Sequence, residues 1–390
     1  MIPILHPEKS SILEPSPRSC WVASLKAHNF RSYENLNLQC SSHQPIIITG
    51  PNGAGKTNIL EAVSLLAPGR GFRKSRLSQL TNYKNTSLPW NIHANIQLPE
   101  GSITVSTGLD SDGERERRIL KINDAPHPQS VLQEWLRIIW QTPQSDCLFL
   151  EGMGIRRRFI DTLISQINPA HSKHLYRYDH ALRERSRLLK ELAYDQKWIK
   201  ILEETLSQEA VAITATRTEF IAELNTYGDN NVTHFPKFFL KSTGFVESSL
   251  QENPALFVEE QMQEKLFQSR QDDRITGGSK IGPHQSEIHV INLDYAYPAE
   301  VCSTGEQKAL LLSLMLANCR LQSAICGTAP ILLLDEVVAH LDSLRQHRLF
   351  EEILALNAQA WLTGTNAQVF EPLRGYARFL TVDHALIKEG

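Results

Sequence analysis

Cysteine is sparse and dispersed. The six residues Cys20, Cys40, Cys147, Cys302, Cys319 and Cys326 form no CxxC pair and have no histidine at metal-ligand spacing, which predicts reduced structural thiols, no disulfide and no zinc. No apolar run approaches the ~20 residues of a membrane span. The first residues also lack a charged region followed by a long apolar core, so the expectation is a cytoplasmic protein with no membrane partner. Nor is there an excess of positive charge: 40 Lys and Arg stand against 43 Asp and Glu, a net charge of -3. Any contact with nucleic acid therefore has to come from local clusters. At 390 residues with 41% hydrophobic content, the chain is long and apolar enough for two or three packed domains.

The strongest feature present is Gly50-Pro51-Asn52-Gly53-Ala54-Gly55-Lys56-Thr57-Asn58, which satisfies G-x-x-x-x-G-K-[ST]. It follows the apolar run Pro45 to Thr49, which reads as a buried strand. It precedes Ile59, Leu60, Ala62, Val63, Leu65 and Leu66 at helical spacing. Strand, glycine loop and helix in that order make a phosphate cradle. Backbone N–H groups converge on the phosphates, Lys56 supplies a point charge, and the Thr57 hydroxyl can ligate Mg²⁺.

Along the chain, residues 1–20 read as a mobile leader rich in proline. Two edge-type strands follow, from Trp21 and from the alternating residues ending at Leu38. After the first helix comes the basic, glycine-hinged loop Gly69-Arg70-Gly71-Phe72-Arg73-Lys74-Ser75-Arg76. It is either a solvated loop or a DNA contact made by Arg70, Arg73, Lys74 and Arg76. Alternation from Trp90 to Leu98 and Ser102 to Gly108, a turn at Asp110 to Gly113 and a return strand from Arg115 to Asn123 predict a meander whose charges face water. Ile138 to Gln141 reads as a strand whose end places Gln141 or Gln144 within reach of a metal or its water.

From Glu151 to about Arg270 the pattern turns helical, with a short antiparallel hairpin around Ala193 to Lys197. Arg183, Arg185, Arg187 and Lys190 recur near one face of it. That face is either solvated or a DNA surface carried by Arg183 and Arg187. A glycine-rich return, Thr276 to Gln285, leads to strands from Glu287; His284 in it is read as structural.

Two further blocks complete a site. Ser303, Gly305 and Glu306 precede a long apolar helix, a start that suits either an N-cap or an anion site. Ile331 to Leu334 is a buried strand ending in Asp335 and Glu336, followed by Leu341-Asp342. Asp335 is placed to hold Mg²⁺ through water and Glu336 to orient an attacking water, with Lys56 as the third catalytic group. The last strand, Ala360 to Asn366, ends in the hydroxyls of Thr363 and Thr365 and the amide of Asn366, candidate sensors of the γ-phosphate.

Together these blocks resemble the ATP-binding-cassette ATPases, and in detail the RecF family of DNA replication and repair proteins. The resemblance rests also on Asn29-Phe30-Arg31-Ser32-Tyr33, Gly69 to Arg73, Arg156-Arg157-Arg158-Phe159-Ile160-Asp161, Gly282-Pro283-His284 and Ala339-His340-Leu341-Asp342. The interval from Lys56 to Asp335 exceeds that of a transporter cassette but holds no long coiled-coil arm. The resemblance implies an α/β ATPase head, a mixed sheet around the phosphate loop with an antiparallel β subdomain, plus an inserted helical domain. Its parts are 21–150, a helical insert at 151–270, and 271–390. It implies ATP with Mg²⁺ as cofactors, Arg31 and Asp342 among the nucleotide-binding residues, and Thr57, Asp335 and Gln144 as metal ligands. It also implies an ATP-dependent homodimer in which Ser303 and Gly305 of one copy close on the other copy's nucleotide. DNA at gaps or junctions and RecO and RecR proteins are the implied partners, with weak DNA-dependent ATPase activity. Cys302, Thr304 and Glu306 depart from a full Leu-Ser-Gly-Gly-Gln signature, which bears on hydrolysis rate more than on binding. A nucleotide-switched scaffold and a transporter ATPase subunit are the alternative readings.

Overall fold

The computed structural model describes residues 19–110, 116–191, 195–229, 235–339 and 341–389. The leader (apart from its last two residues), most of the Asp110 to Gly113 turn, Arg115, the hairpin tip at Leu192 and Ala193, and His340 lie outside the described residues.

Strands β1 (Trp21–Phe30) and β2 (Tyr33–Gln39) lead to β3 (Ile46–Thr49) and helix α1 (Lys56–Ser64). A meander follows: β4 (Asn91–Leu98), β5 (Gly101–Asp110), β6 (Arg117–Ile122) and the short β7 (Ala125–Pro126). These pair antiparallel in the order β2-β1-β4-β5-β6-β7. Of the first two strands β2 is at an edge, whereas β1 is interior because β4 takes its outer side, which corrects the reading of both as edges. Alternation puts Ile92, Ala94, Ile96, Leu120 and Ile122 on the covered face.

The meander's charges do not all face water. Arg118 is buried and donates to the carbonyls of Ala67 (3.0 Å), Gly69 (2.6 Å) and Leu65, and to Thr107 Oγ1 (2.8 Å). It thereby ties down the backbone that leaves α1. Burial lowers its guanidinium to about 10, still charged at neutral pH.

After α2 (Leu132–Trp135) the chain enters β8 (Ile138–Gln141) and then the helices α3 (Met153–Ile167), α4 (Pro169–Leu189) and α5 (Gln196–Asp229). The interval 151–270 is not wholly helical. Between α5 and the helices α6 (Phe245–Glu252), α7 (Ala255–Gln268) and α8 (Arg270–Thr276) lies β9 (Phe238–Thr243). It pairs with β10 (Glu287–Asn292), which in turn pairs with β11 (Tyr297–Pro298). Its six residues follow the period of a strand, with Phe238 and Leu240 buried.

The basic face of the hairpin is also divided. Arg185 is buried and bonded to Glu203 (2.9 Å), Asp273 (2.7 Å) and the Leu266 carbonyl (2.6 Å). Arg187 is exposed but paired with Glu184 and Glu191. Arg183 is exposed.

The remaining elements are α9 (Thr304–Cys326), β12 (Ile331–Leu334), α10 (Ser343–Ala355), β13 (Ala360–Gly364), β14 (Arg378–Asp383) and β15 (Leu386–Glu389). The second six-stranded sheet runs β15-β14-β3-β13-β12-β8 and is parallel except at β15. Both its faces are covered, as continuous apolar strands require. Ile47, Leu332, Leu334 and Leu362 face a core built on α9. Ile46, Ile48, Leu333 and Trp361 face a core shared with α1 and the antiparallel sheet.

Helix α9 is long and apolar enough to cross a membrane by length and composition, against the expectation that no such run exists. Yet 72% of its apolar window is buried inside the fold. A helix enclosed on nearly all sides is apolar all round for that reason.

The helical part is held together, and tied to the returning chain at Pro283, by a buried ionic cluster. Arg217 makes a two-pronged contact with Asp161 (2.8 Å at both oxygens) and donates to the Pro283 carbonyl (2.8 Å), while His171 bonds Asp161 at 2.9 Å. Burial pushes the Asp161 carboxyl up, but these two donors outweigh it and hold the group below its usual value. Such a group stabilises the fold above its unfolded pKa of about 4 and loses that contribution as pH falls. Arg217→Leu is expected to cost about 3–5 kcal/mol in urea unfolding, because it leaves a buried carboxylate without its main partner. Asp161→Asn should shift the acid limb of the stability curve to lower pH while weakening the fold at neutral pH.

Candidate nucleotide site

The site forms where the parallel strands end. β3 delivers Gly50, β13 delivers Thr363, β12 delivers Asp335 and β8 delivers Gln141, all at the carboxyl edge where open α/β sheets bind ligands.

The glycine loop is shaped by close approach. Gly50 has φ 149°, and a Cβ there would sit 2.0 Å from the Val382 carbonyl oxygen. Gly55, the residue before α1, has φ 113°, and its Cβ would meet Ser32 Oγ and Tyr33 Oη, each at 2.9 Å. Ser32 and Tyr33 buttress the loop from outside: Tyr33 donates to the Gly55 carbonyl (3.2 Å) and Ser32 Oγ accepts from Asn58 (2.8 Å). Pro51, Asn52 and Gly53 form the exposed crest and Ala54 the buried floor. Lys56 is buried with its ammonium donating to the Gly50 and Pro51 carbonyls at 2.9 and 3.1 Å. It lies 3.6 Å from Glu336 Oε1.

Asp335 is the hub. Its Oδ1 accepts from Thr57 Oγ1 (2.9 Å) and from Thr363 Oγ1 (2.7 Å), and its backbone N–H donates to the Gln141 carbonyl (3.0 Å). Glu336 has a left-handed backbone, φ 52°, which a glutamate adopts only when its surroundings hold it there. Two groups do so. Thr363 Oγ1 accepts from the Glu336 N–H (2.9 Å), and Lys308 Nζ donates to the Glu336 carbonyl (3.4 Å). Lys308 also reaches the Ala339 carbonyl (2.8 Å) and Asp146 Oδ2 (3.4 Å). Asp146 in turn accepts from Gln141 Nε2 at 2.9 Å.

Of the two amides read from the sequence, Gln141 is therefore the one beside Asp335, and its buried Oε1 has no partner among the described residues. Gln144 is exposed on the following turn and faces a groove with Arg73 and Lys74. Thr365 is exposed, whereas the buried hydroxyl in the site is Thr363. The sequence marks Thr363 only as one of several strand-end groups, and Lys308 and Asp146 were missed. A lone lysine on the buried side of an apolar helix was the one available signal for Lys308.

Among the described residues the Arg31 side chain makes its hydrogen bonds away from the glycine loop. It donates to Glu61 (2.8 and 2.6 Å), Ser75 Oγ (2.6 Å) and the Gln79 carbonyl (2.9 Å). Arg73 reaches the same Glu61 and Asn58, and Arg70, Lys74 and Arg76 are exposed beside it. Asp342 caps α10 by accepting from the Arg345 N–H at 2.8 Å. Ser303 caps α9, and its N–H donates to Glu306 Oε2 (2.8 Å) in a capping box. Both Ser303 and Thr304 are exposed, and Gly305 is half-exposed.

The donor set suits a nucleoside triphosphate with Mg²⁺. Bare backbone at Gly50 and Gly55, a buried ammonium, a hydroxyl beside a carboxylate and the unpartnered Gln141 oxygen are the groups such a ligand needs.

A glycine-loop ATPase sheet capped by an antiparallel sheet, with an acidic strand, a Ser-capped core helix and a helical insert, is an ATP-binding-cassette head. The family defined as RecF/RecN/SMC N terminal domain matches residues 21–387. Relatives named DNA replication and repair protein RecF include one from Mesorhizobium japonicum, 39% identical over 95% of this chain and 98% of its own. Another, from Rhizobium rhizogenes, is 37% identical over 94% and 98%. The solved structure of the recombination mediator protein RecF-ATP in the RecFOR pathway covers 96% of this chain and 100% of its own at a TM-score of 0.82 and 21% identity. An Smc head domain from Pyrococcus furiosus shares the fold at a TM-score of 0.55 and 16% identity, covering 95% and 96%. The chain belongs to the RecF family of DNA replication and repair proteins.

Thr363→Val keeps the shape but removes the hydroxyl shared by Asp335 and the Glu336 N–H. Thermal or urea unfolding should show a loss of about 1–3 kcal/mol; an unchanged midpoint would mean the hydroxyl is not needed there.

Proposed function

We propose that this protein is an ATP-dependent DNA clamp of replication and recombinational repair. Two copies close head to tail over two ATP molecules, hold DNA near gaps or single-strand to duplex junctions, and act with RecO and RecR proteins in loading recombinase in the cytoplasm. Slow ATP hydrolysis reopens the clamp. The observation that carries the reading is the joining of Thr57, Asp335, Thr363 and Glu336 around Lys56, while the cap of α9 at Ser303 stays exposed. The likeness to relatives named for DNA replication and repair, and to a structure of RecF with ATP, supports it.

In this reading Gly50 to Asn58 cradle the phosphates, and Thr57 and Asp335, with the Gln141 oxygen rather than Gln144, hold Mg²⁺. When bound, Mg²⁺ neutralises phosphate charge and polarises the γ-phosphoryl group. Lys56 leaves the Gly50 and Pro51 carbonyls for the phosphate oxygens. Glu336, fixed by Thr363 and Lys308, accepts a hydrogen bond from the attacking water and orients it in line. Ser303 and Gly305 of the second copy offer backbone N–H groups to the exposed side of the triphosphate. Because Lys308 lies on the same helix as Ser303, seating of that helix and posture of Glu336 are mechanically linked.

The test is light scattering of Glu336→Gln protein with Mg-ATP and a tailed duplex. The expected result is an ATP-dependent dimer that retains DNA and is lost in Ser303→Arg. A protein that binds ATP but stays monomeric would overturn the shared-site mechanism and favour a nucleotide-switched scaffold. Lys308→Met should lower hydrolysis by roughly 10–100-fold with ATP affinity little changed, since it loosens Glu336 but not the phosphate loop. Lys308→Arg should recover part of that loss.

A further inference from the structure

A trough runs beside β8, the outer strand of the parallel sheet, whose carboxyl end reaches the nucleotide site at Gln141. It consists of two cavities of about 520 and 690 Å³. They share Trp140, Arg158, Thr162 and Gln166, so they lie side by side along that line. Arg158, Thr162 and Gln166 recur every fourth residue and form the ridge of α3 along it. Gln166 Nε2 donates to the Ile138 carbonyl at 3.0 Å, which fixes that ridge against β8.

The charge of the lining is unbalanced. Lys74 and Arg73 flank one end, Arg158 stands in the middle, and Arg157 and Arg137 flank the seam with the helical part. Asp161, the nearest buried carboxylate, is already engaged by Arg217 and His171. The side chains of Arg158 and Lys74 have no hydrogen bond or ion pair among the described residues, and the buried Nε of Arg137 has no partner among them. Burial, then the charges of Arg217, Arg156 and Arg158, depress the Arg157 guanidinium, with Asp161 acting in the opposite sense. Two exposed carboxylates, Asp179 and Glu151, also line the trough, Arg73 is paired with Glu61 and Arg157 donates to the Ser286 carbonyl (2.5 Å), so the cations still outnumber the carboxylates, and the unpaired Lys74 and Arg158 would be stabilised by a polyanion.

Shape decides which polyanion. Each cavity has room for about one or two nucleotides, given that pockets of this size hold one drug-sized ligand, and neither admits a duplex. Two such cavities side by side suit a ligand with phosphates repeated along a chain, and half-buried Trp140 offers a ring for a base to stack on.

We propose that this trough binds a single strand of DNA, with its phosphates on Lys74, Arg158 and Arg157 and a base on Trp140. The assignment rests on the DNA-binding reading above and places the single-stranded side of a junction along the seam between the head and the helical part.

The test is fluorescence anisotropy of a labelled oligodeoxythymidylate and of a blunt duplex, on wild type, on Lys74→Glu/Arg158→Glu and on Arg374→Glu, an exposed site outside the trough. Equal melting temperatures establish that the variants fold. The double variant is expected to lose at least roughly tenfold in single-strand affinity and to have a flatter salt dependence, at about 0.7 per lost phosphate contact. Duplex affinity should change less, and Arg374→Glu should match wild type. Ultraviolet cross-linking of an iododeoxyuridine oligonucleotide should label the peptide carrying Trp140. Unchanged single-strand affinity in the double variant would overturn the trough while leaving DNA binding intact. Displacement of the oligonucleotide by tripolyphosphate at equal phosphate concentration would overturn it in favour of a small-anion site. Failure of wild type to bind either DNA would instead sink the clamp reading, and the trough with it.

Discussion

The Asp335 carboxylate is the point on which the rest of the head depends. A buried carboxylate is costly unless it is well supplied with donors. Here the donors are the Thr57 hydroxyl from α1 and the Thr363 hydroxyl from β13. One acceptor therefore binds together the helix that carries the glycine loop and two central strands. The sheet packs Ile331 to Leu334 on both faces, so the place of Asp335 is set by the core. The phosphate loop is set in turn by what Asp335 holds.

Glu336 adds a second constraint. Its left-handed backbone is held on the N–H side by Thr363 and on the carbonyl side by Lys308. Lys308 belongs to α9, a largely buried helix whose capped end is exposed at Ser303. A displacement at that end passes through a rigid, packed helix to the carboxylate placed to orient water. The Gln141, Asp146 and Lys308 chain ties the end of β8 to the same joint. In the proposed dimer, this gives one copy's interface a direct physical hold on its own site.

The arginines divide sharply by role. Arg118, Arg156, Arg185 and Arg217 are buried and consumed by carbonyls and carboxylates. They join segments distant in sequence: the meander to the end of α1, α3 to β10, α4 to α8, and α5 to α3. Arg158 and Lys74 are left for solvent or for a ligand. A planar fork of five donors suits the buried arginines to joining several distant carbonyls and carboxylates at once.

Much of the nucleotide site was legible from the chain alone, because its elements are local. A strand, a glycine loop and a helix, or four apolar residues ending in Asp335 and Glu336, carry their geometry in adjacent residues. The apolar strands and the meander were legible from period for the same reason. What remained hidden were contacts between residues far apart in sequence. No local pattern distinguishes Arg185 from Arg183, or Gln141 from Gln144, and β9 was lost among helices because its strand partner lies beyond α8. The roles of Thr363 and Lys308 became visible only when their strand and helix were set beside β12. The sequence by itself determined the cradle, the acidic strand and the capped helix. The tertiary structure decided which charges are buried and which remain free, because burial depends on what distant segments bring to the same place.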